Sequence, residues 1–114
     1  MYAKPELEFH IPEGEWTRPN SAERGVWVKT LSLDPESGDE TLLQRYDPGV
    51  DTSAAGVIRH DHWEEVIVLS GDITDLSLRQ EFMTGMYACR PIGMAHGPYS
   101  SRGGCLMFVT THHT

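Results

Sequence analysis

Two short stretches of the sequence decide the fold: HDHWEEVIVLSG at residues 60–71 and GMYACRPIGMAH at residues 85–96. Each contains β-branched or aromatic residues typical of a strand, together with glycines that punctuate it. Residues two apart in an extended chain point to the same face, so His60 and His62 share one face. Glu64 belongs to that face as well if the chain stays extended. The two stretches therefore predict strands that carry a cluster of metal-ligating side chains.

Strand-like segments recur along the rest of the chain. The 11 glycines and 7 prolines leave few windows long enough for a three-turn helix. Segments rich in β-branched and aromatic residues are predicted as strands at 26–33, 41–46, 56–62, 64–69, 73–78, 85–90 and 105–111. Turn-forming residues separate them, so most neighbours are expected to pair antiparallel. The pattern predicts an all-β sandwich or barrel.

The length and net charge of the chain limit the number of domains and the kinds of binding partner. A chain of 114 residues has room for one domain. Its 17 acidic and 9 basic residues give a net charge of −8, which repels phosphate backbones and anionic lipid headgroups. We therefore expect a small-molecule partner and neither nucleic acid nor a membrane. The sequence has no signal-like apolar run at its start, and its two cysteines are too few for a disulfide scaffold. Both cysteines are expected to be buried, and the expected location is the cytoplasm.

The two stretches resemble the motifs of the cupin superfamily. The second motif of that superfamily, G(x)5PxG(x)2H, is matched by Gly85, Pro91, Gly93 and His96. The first motif, HxH followed by a Glu that six residues separate from a Gly, is matched by His60, His62, Glu64 and Gly71. The segment HGPYSSRGGCLMFV at 96–109 is similar to cupins related to the anti-sigma factor ChrR and to acetylacetone-cleaving dioxygenases.

The resemblance implies a single-domain cupin jelly-roll barrel, an RmlC-like fold. The expected domain spans residues 1–114, with an N-terminal arm at 1–25 and the β-barrel at 26–114. The strand pattern agrees with this fold, because closure of an antiparallel barrel removes open sheet edges. The resemblance also implies a homodimer formed through outer strand faces.

The resemblance further implies a metal site whose ligands are His60, His62, Glu64 and His96. Imidazole nitrogens with one carboxylate suit Fe(II) or Zn(II), with Mn(II) and Ni(II) as further possibilities. Cupins usually place three or four residues between the second histidine and the glutamate, whereas Trp63 alone stands there in this chain. A bulge at 61–63 could redirect the strand. Two alternatives for the ligand set stay open: Glu65 in place of Glu64 as the carboxylate ligand, or a site with three histidine ligands and no carboxylate.

Several residues are candidates for contact with a substrate at such a site: Tyr87, Arg90, Tyr99 and Trp63. If Glu64 faces inward, Val66 and Val68 share its face and line an apolar cavity. His112 and His113 are predicted to belong to a polar C-terminal tail outside the site.

Two functions follow from these features. The first is a metal-dependent enzyme that acts on a small carbonyl compound, as a dioxygenase or as a lyase or isomerase. The alternative, which the similarity to ChrR indicates, is a metal-dependent module that binds or senses a ligand.

Overall fold

The computed structural model describes residues 3–19 and 24–113, and its regular structure is almost entirely strand. The eight strands are β1 (Val26–Leu33), β2 (Glu40–Tyr46), β3 (Val50–Asp51), β4 (Trp63–Asp75), β5 (Gln80–Met83), β6 (Tyr87–Arg90), β7 (Tyr99–Ser101) and β8 (Cys105–His112). A short 3-10 helix covers Ser53–Ala55. Among the described residues, no helix has the length and apolar character needed to cross a bilayer.

The strands form one curled sheet around the core. Their order is β1-β2-β8-β4-β7-β3, and β5 and β6 also pair with β4. Each of these pairings is antiparallel. The last strand, β8, lies between β2 and β4, and β4 lies between β8 and β7, so several neighbours in the sheet are far apart in the chain. This is the connectivity of a jelly-roll barrel, and the all-β fold predicted from the sequence is confirmed.

The central strand β4 separates a buried face from an exposed one. Val66 and Val68 are each 5% exposed, whereas Ile67 is 37% and Leu69 44% exposed. The interior face therefore continues from Glu64 through the two valines, as the alternation predicts. The buried core contains these two valines with Val26, Leu42, Tyr46, Val50, Ile73, Tyr99, Cys105, Met107 and Val109.

The predicted break between segments 64–69 and 73–78 is wrong, because β4 continues through it. Gly71 allows the backbone of Gly104 to come close and does not form a hairpin turn. A Cβ on Gly71 would lie 2.0 Å from the carbonyl oxygen of Gly104, and its φ of +86° is one that L side chains rarely adopt. The pairing with β8 shifts register between Val68 and Ser70, so a bulge replaces the expected turn.

The predicted strand at 56–62 is also wrong. That segment follows the 3-10 helix and makes one isolated bridge, between Ile58 and His96. Three short strands, β3, β5 and β7, were not predicted, because two to four residues carry too little periodicity to stand out from loops. Cys89 is exposed, contrary to expectation, whereas Cys105 is buried as expected.

The N-terminal segment lies outside the regular strands. Thr17 forms an isolated antiparallel bridge with Val28 of β1. The predicted arm at 1–25 includes positions 1–2 and 20–23, which lie outside the described residues. The division into an arm and a barrel stays a prediction.

Candidate metal centre

Three potential ligands meet inside the barrel: His60, Glu64 and His96. Each offers one ligand atom, and these atoms all lie within 4.8 Å of one another. The His60 Nε2 atom is 3.6 Å from Glu64 Oε2, and the His60 and His96 rings have centroids 5.0 Å apart. His60 precedes β4, Glu64 is the second residue of β4, and His96 lies between β6 and β7.

Backbone hydrogen bonds hold the two motifs together at this point. The Ile58 and His96 backbones exchange two bonds, from Ile58 N to His96 O at 2.8 Å and from His96 N to Ile58 O at 3.0 Å. The Gly93 amide, in the turn after β6, donates to the His60 carbonyl at 2.9 Å. The Arg59 side chain donates to the Gly93 carbonyl at 2.9 Å. The proline–glycine turn of the second motif thus carries His96 to His60.

A polar network links the carboxylate to the buried histidine. Arg90 Nη1 donates to Glu64 Oε1 at 2.5 Å, and Arg90 Nη2 donates to the Tyr99 hydroxyl oxygen at 2.8 Å. That hydroxyl lies 2.6 Å from His96 Nδ1. The guanidinium balances the Glu64 charge, and one carboxylate oxygen, Oε2, still faces His60. The network orients both side chains toward the cavity.

The two histidines of the cluster have the protonation that a metal ligand needs. Burial, with a further effect of the Arg90 guanidinium, lowers the pKa of His96 to about 4. Burial also lowers the pKa of His60, against the opposing effect of Glu64. Both imidazoles are therefore neutral near pH 7. Burial raises the pKa of Tyr99 to about 12, so its hydroxyl keeps its proton.

The donor set fits a divalent metal. His96 Nε2 is buried and has no hydrogen-bond partner among the described residues, although buried polar atoms normally have one. The tautomer with a proton on Nδ1 donates to Tyr99 and leaves the Nε2 lone pair directed at the cluster. Two imidazoles and one carboxylate suit first-row divalent metals, Fe(II) and Zn(II) among them.

His62, the fourth expected ligand, belongs to a different group of side chains. Its ring stacks on that of His60, with centroids 4.6 Å apart, but its ligand atom groups with those of Asp61 and His113. The segment 60–62 precedes β4 and is not a regular strand, so the two-residue alternation that would align His60 with His62 does not apply there.

Glu65, the alternative carboxylate, lies on the outer face of β4. It is exposed, and its side chain accepts a hydrogen bond from the Tyr87 hydroxyl. Trp63, at the start of β4, is 37% exposed and lies opposite His112 of β8. Of the expected substrate contacts, Arg90 and Tyr99 therefore lie at the cluster.

A cavity of about 360 Å³ borders His96, Arg90 and Tyr99 and is also lined by Leu78 and Met94. Two smaller cavities adjoin one another in the barrel interior. One, of about 180 Å³, contains the His60, Glu64 and His96 cluster, with Gln44 and Ile58 on its wall. The other, of about 170 Å³, is lined mainly by apolar side chains and reaches Tyr87 at its rim. The two share four lining residues, Ile73, Arg90, Tyr99 and Met107.

The prediction that His112 lies in a polar C-terminal tail is wrong, because β8 extends to His112. The sequence also gives no indication of where His113 lies. This residue follows β8, and the register of β8 against β4 places His112 opposite Trp63 and so brings His113 beside His62. The ring centroids of His62 and His113 are 5.0 Å apart. Only a correct pairing of the first motif with the last strand could have predicted this proximity.

The barrel and its interior cluster define the class of this protein as a cupin. More particularly, the chain belongs to the family of ChrR cupin-like domains, whose model matches residues 6–114. No protein with a curated description matches the sequence.

Solved structures share the fold at low sequence identity. An RmlC-like cupin from Shewanella frigidimarina is 15% identical, with 97% of this chain and 94% of that chain covered and a TM-score of 0.74. An acetylacetone dioxygenase from Acinetobacter johnsonii is 15% identical, with 95% and 74% covered and a TM-score of 0.74. The anti-sigma ChrR in complex with Rhodobacter sphaeroides SigE is 19% identical, with 90% and 51% covered and a TM-score of 0.65. At these identities the similarity concerns the fold alone.

Proposed function

We propose that this protein is a divalent-metal-dependent enzyme that acts on a small carbonyl compound. The observation that carries the proposal is the neutral, buried His96, whose Nε2 has no partner among the described residues and lies in one cluster with His60 and Glu64. An unpartnered nitrogen of this kind is costly unless a ligand uses it. A metal ion is the ligand that suits the three donors together.

In this proposal the protein supplies three ligands, His60, Glu64 and His96. Three residues separate His60 from Glu64, which is the spacing that cupins usually place between their second histidine and the glutamate. Ile58 then stands two residues before His60, at the position of the first histidine. A site with three protein ligands keeps positions open for substrate, as catalytic sites do.

The cavities favour a small substrate with an apolar part. The two adjoining spaces are each below 200 Å³, and the third cavity, which borders His96, is about 360 Å³. All three are at or below the small end of the roughly 300–1,000 Å³ of pockets for drug-sized ligands. Val66 and Val68 line the apolar cavity, and Arg90 lines both. A compact molecule with an oxygen function at one end and an alkyl or aryl group at the other matches this lining.

Arg90 and Tyr99 have distinct tasks in the reaction. The Arg90 guanidinium, already held by Glu64 and Tyr99, is in position to attract a developing negative charge on a substrate oxygen. The Tyr99 hydroxyl keeps its proton at neutral pH and fixes the orientation of the His96 ring. A bound divalent metal supplies Lewis-acid activation of a carbonyl or enolate and, as Fe(II), reactivity towards dioxygen.

Oxygen uptake tests the reaction class. The Fe(II)-loaded protein is offered β-diketones, 2-oxo acids and hydroxylated aromatic ketones in an oxygen electrode. Substrate-dependent uptake that His96→Ala abolishes and His112→Ala preserves supports a dioxygenase. Metal-dependent loss of substrate without oxygen uptake supports a lyase or isomerase. Absence of turnover with every compound contradicts the enzymatic proposal and favours the alternative below.

The alternative is a metal-dependent module that binds or senses a ligand. The match to the family of ChrR cupin-like domains favours it, as does the fold shared with an anti-sigma protein that was solved with its sigma factor. In that case the same cluster would order a ligand pocket, and ligand binding without turnover would be measured by calorimetry.

We also propose that the chain forms a homodimer through the outer face of β4, β6 and β8. This face exposes Ile67 and Tyr87, and a shallow groove there is lined by Phe108 and Thr110 as well. Leu69, on the same face of β4, is 44% exposed. Burial of such a surface against a second copy would remove apolar area from water.

A further inference from the structure

A second group of metal-ligating side chains lies outside the barrel cavity. Asp61, His62 and His113 each offer one ligand atom, and these atoms lie within 4.8 Å of one another. The Asp61 Oδ1 atom is 3.3 Å from His62 Nδ1, and the His62 and His113 rings have centroids 5.0 Å apart. We propose that these three residues form a second, surface site for a divalent transition-metal ion, distinct from the centre at His96.

His113 is held as a metal ligand usually is. Its Nδ1 lies 3.0 Å from Asp39 Oδ1, and its backbone amide donates to the same oxygen at 2.6 Å. The Asp39 side chain is only 8% exposed. A carboxylate on one ring nitrogen fixes the orientation of the imidazole and leaves the other nitrogen, Nε2, as its metal-binding atom.

The loop between β1 and β2 keeps this carboxylate in place. Asp34, which is 1% exposed, accepts hydrogen bonds from the backbone amides of Glu36 and Ser37. The Asp39 carbonyl in turn accepts a bond from the Asp34 amide at 2.8 Å. Asp39, the partner of His113, thus belongs to a turn held by several hydrogen bonds. The two contacts of His113 with Asp39 hold the segment after β8 against this turn.

The ligand types at this second site determine which metal ions it prefers, and the exposure of the ligands determines how readily the ion exchanges with solvent. Two imidazoles and one carboxylate favour Zn(II), Co(II), Ni(II) or Cu(II) over Mg(II) and Ca(II), which prefer oxygen ligands. The Asp61 side chain is 96% exposed, His62 19% and His113 33%. Water can therefore complete the coordination sphere, and the ion exchanges with solvent more readily than at the buried cluster.

The test is a titration of the full chain, freed of metal by a chelator, with Co(II). Calorimetry gives the stoichiometry, and the visible absorption of Co(II) reports the ligand set. We expect two ions per wild-type chain, one tighter and one weaker. His113→Ala should remove the weaker ion and keep the tighter one, whereas His96→Ala should do the reverse. His112→Ala is the matched control, because His112 also contacts Asp39 but lies outside the group of ligands, and it should keep both ions.

Asp61→Asn guards against a fold defect, because the exposed Asp61 side chain can change without disturbing the core. This substitution should lower the affinity for the second ion by at least about tenfold. A wild-type stoichiometry of one ion that His96→Ala abolishes would overturn the second site and leave the proposed enzyme intact. A second ion retained in both His113→Ala and Asp61→Asn would also overturn it. A wild-type chain that binds the ion at the His113 site but none at the His96 site would count against the proposed function and not against this second site.

Discussion

Glu64 of β4 and Arg90 of β6 face each other across an antiparallel pair, and their side chains meet inside the barrel with Arg90 Nη1 2.5 Å from Glu64 Oε1. Each motif thus contributes one half of an ion pair, and the Glu64 and Arg90 side chains are 14% and 15% exposed. The pair sets the charge of the candidate metal centre.

Arg90→Met should destabilise the metal-free protein by about 3 kcal/mol, because it leaves the partly buried Glu64 charge without its partner. Urea denaturation measures this loss. A divalent metal added to the variant should restore part of the stability, since the ion takes over the charge of Glu64. Arg102→Met, at an exposed position, should be neutral. Equal stability of Arg90→Met and wild type would contradict the role given to the pair.

Glu64→Gln should weaken binding of the buried metal by more than about tenfold, because the amide is a poorer ligand than the carboxylate. Glu65→Gln is the matched control and should leave the affinity unchanged, since Glu65 contacts Tyr87 on the outer face. Calorimetry with Zn(II) compares the two variants. The reverse pattern would mean that the β4 register at the site is wrong.

Gly71→Ala should destabilise the fold strongly, by more than about 2 kcal/mol. The new Cβ would lie 2.0 Å from the Gly104 carbonyl oxygen, a backbone atom that cannot move aside cheaply. Gly49→Ala is the control: Gly49 also has a positive φ, of +83°, but apart from its two chain neighbours no described residue has an atom within 4 Å of its Cβ position. It should cost only the conformational penalty of about 1 kcal/mol. Similar thermal midpoints for the two variants would exclude a clash at Gly71.

The two cysteines should differ in reactivity toward a thiol reagent at pH 8. Cys89 is exposed in a single chain but lies on the outer face of β6 that is proposed as the dimer interface, so the test uses the monomeric Ile67→Lys variant, in which Cys89 should react quickly. Burial raises the pKa of Cys105 to about 11, so on the order of one thiol in a thousand is ionised at pH 8. Its reaction should be slow and should accelerate as the pH rises toward that value. A fast phase that persists in Cys89→Ser would contradict this difference.

The proposed dimer predicts a sedimentation mass near twice the 12.8 kDa of one chain. Ile67→Lys should shift the protein toward the monomer, because a charge in the centre of the outer face cannot be buried cheaply. Leu78→Lys changes another exposed apolar residue away from that face and should leave the mass unchanged. A monomeric wild-type protein at millimolar concentration would refute the proposal.

The sequence by itself determined the fold class and most of the long strands. Short glycine-bounded runs of β-branched residues exclude long helices, and the spacing of His60, Glu64 and Gly71 before Gly85, Pro91 and Gly93 identified the barrel family. The inward face of Val66 and Val68 followed from strand alternation, which is a local property of the chain. These inferences needed no knowledge of long-range pairing.

Only the tertiary structure decided which histidines lie together. His60 and His96 come together because Ile58 pairs with His96, and His62 turns toward His113 because β8 closes against β4. Both contacts join residues far apart in sequence, so no local pattern specifies them. The same reason explains the wrong turn prediction at Gly71. A glycine that lets a neighbouring strand come close cannot be told from a turn glycine by sequence alone. Only the position of Gly104 in the fold distinguishes the two.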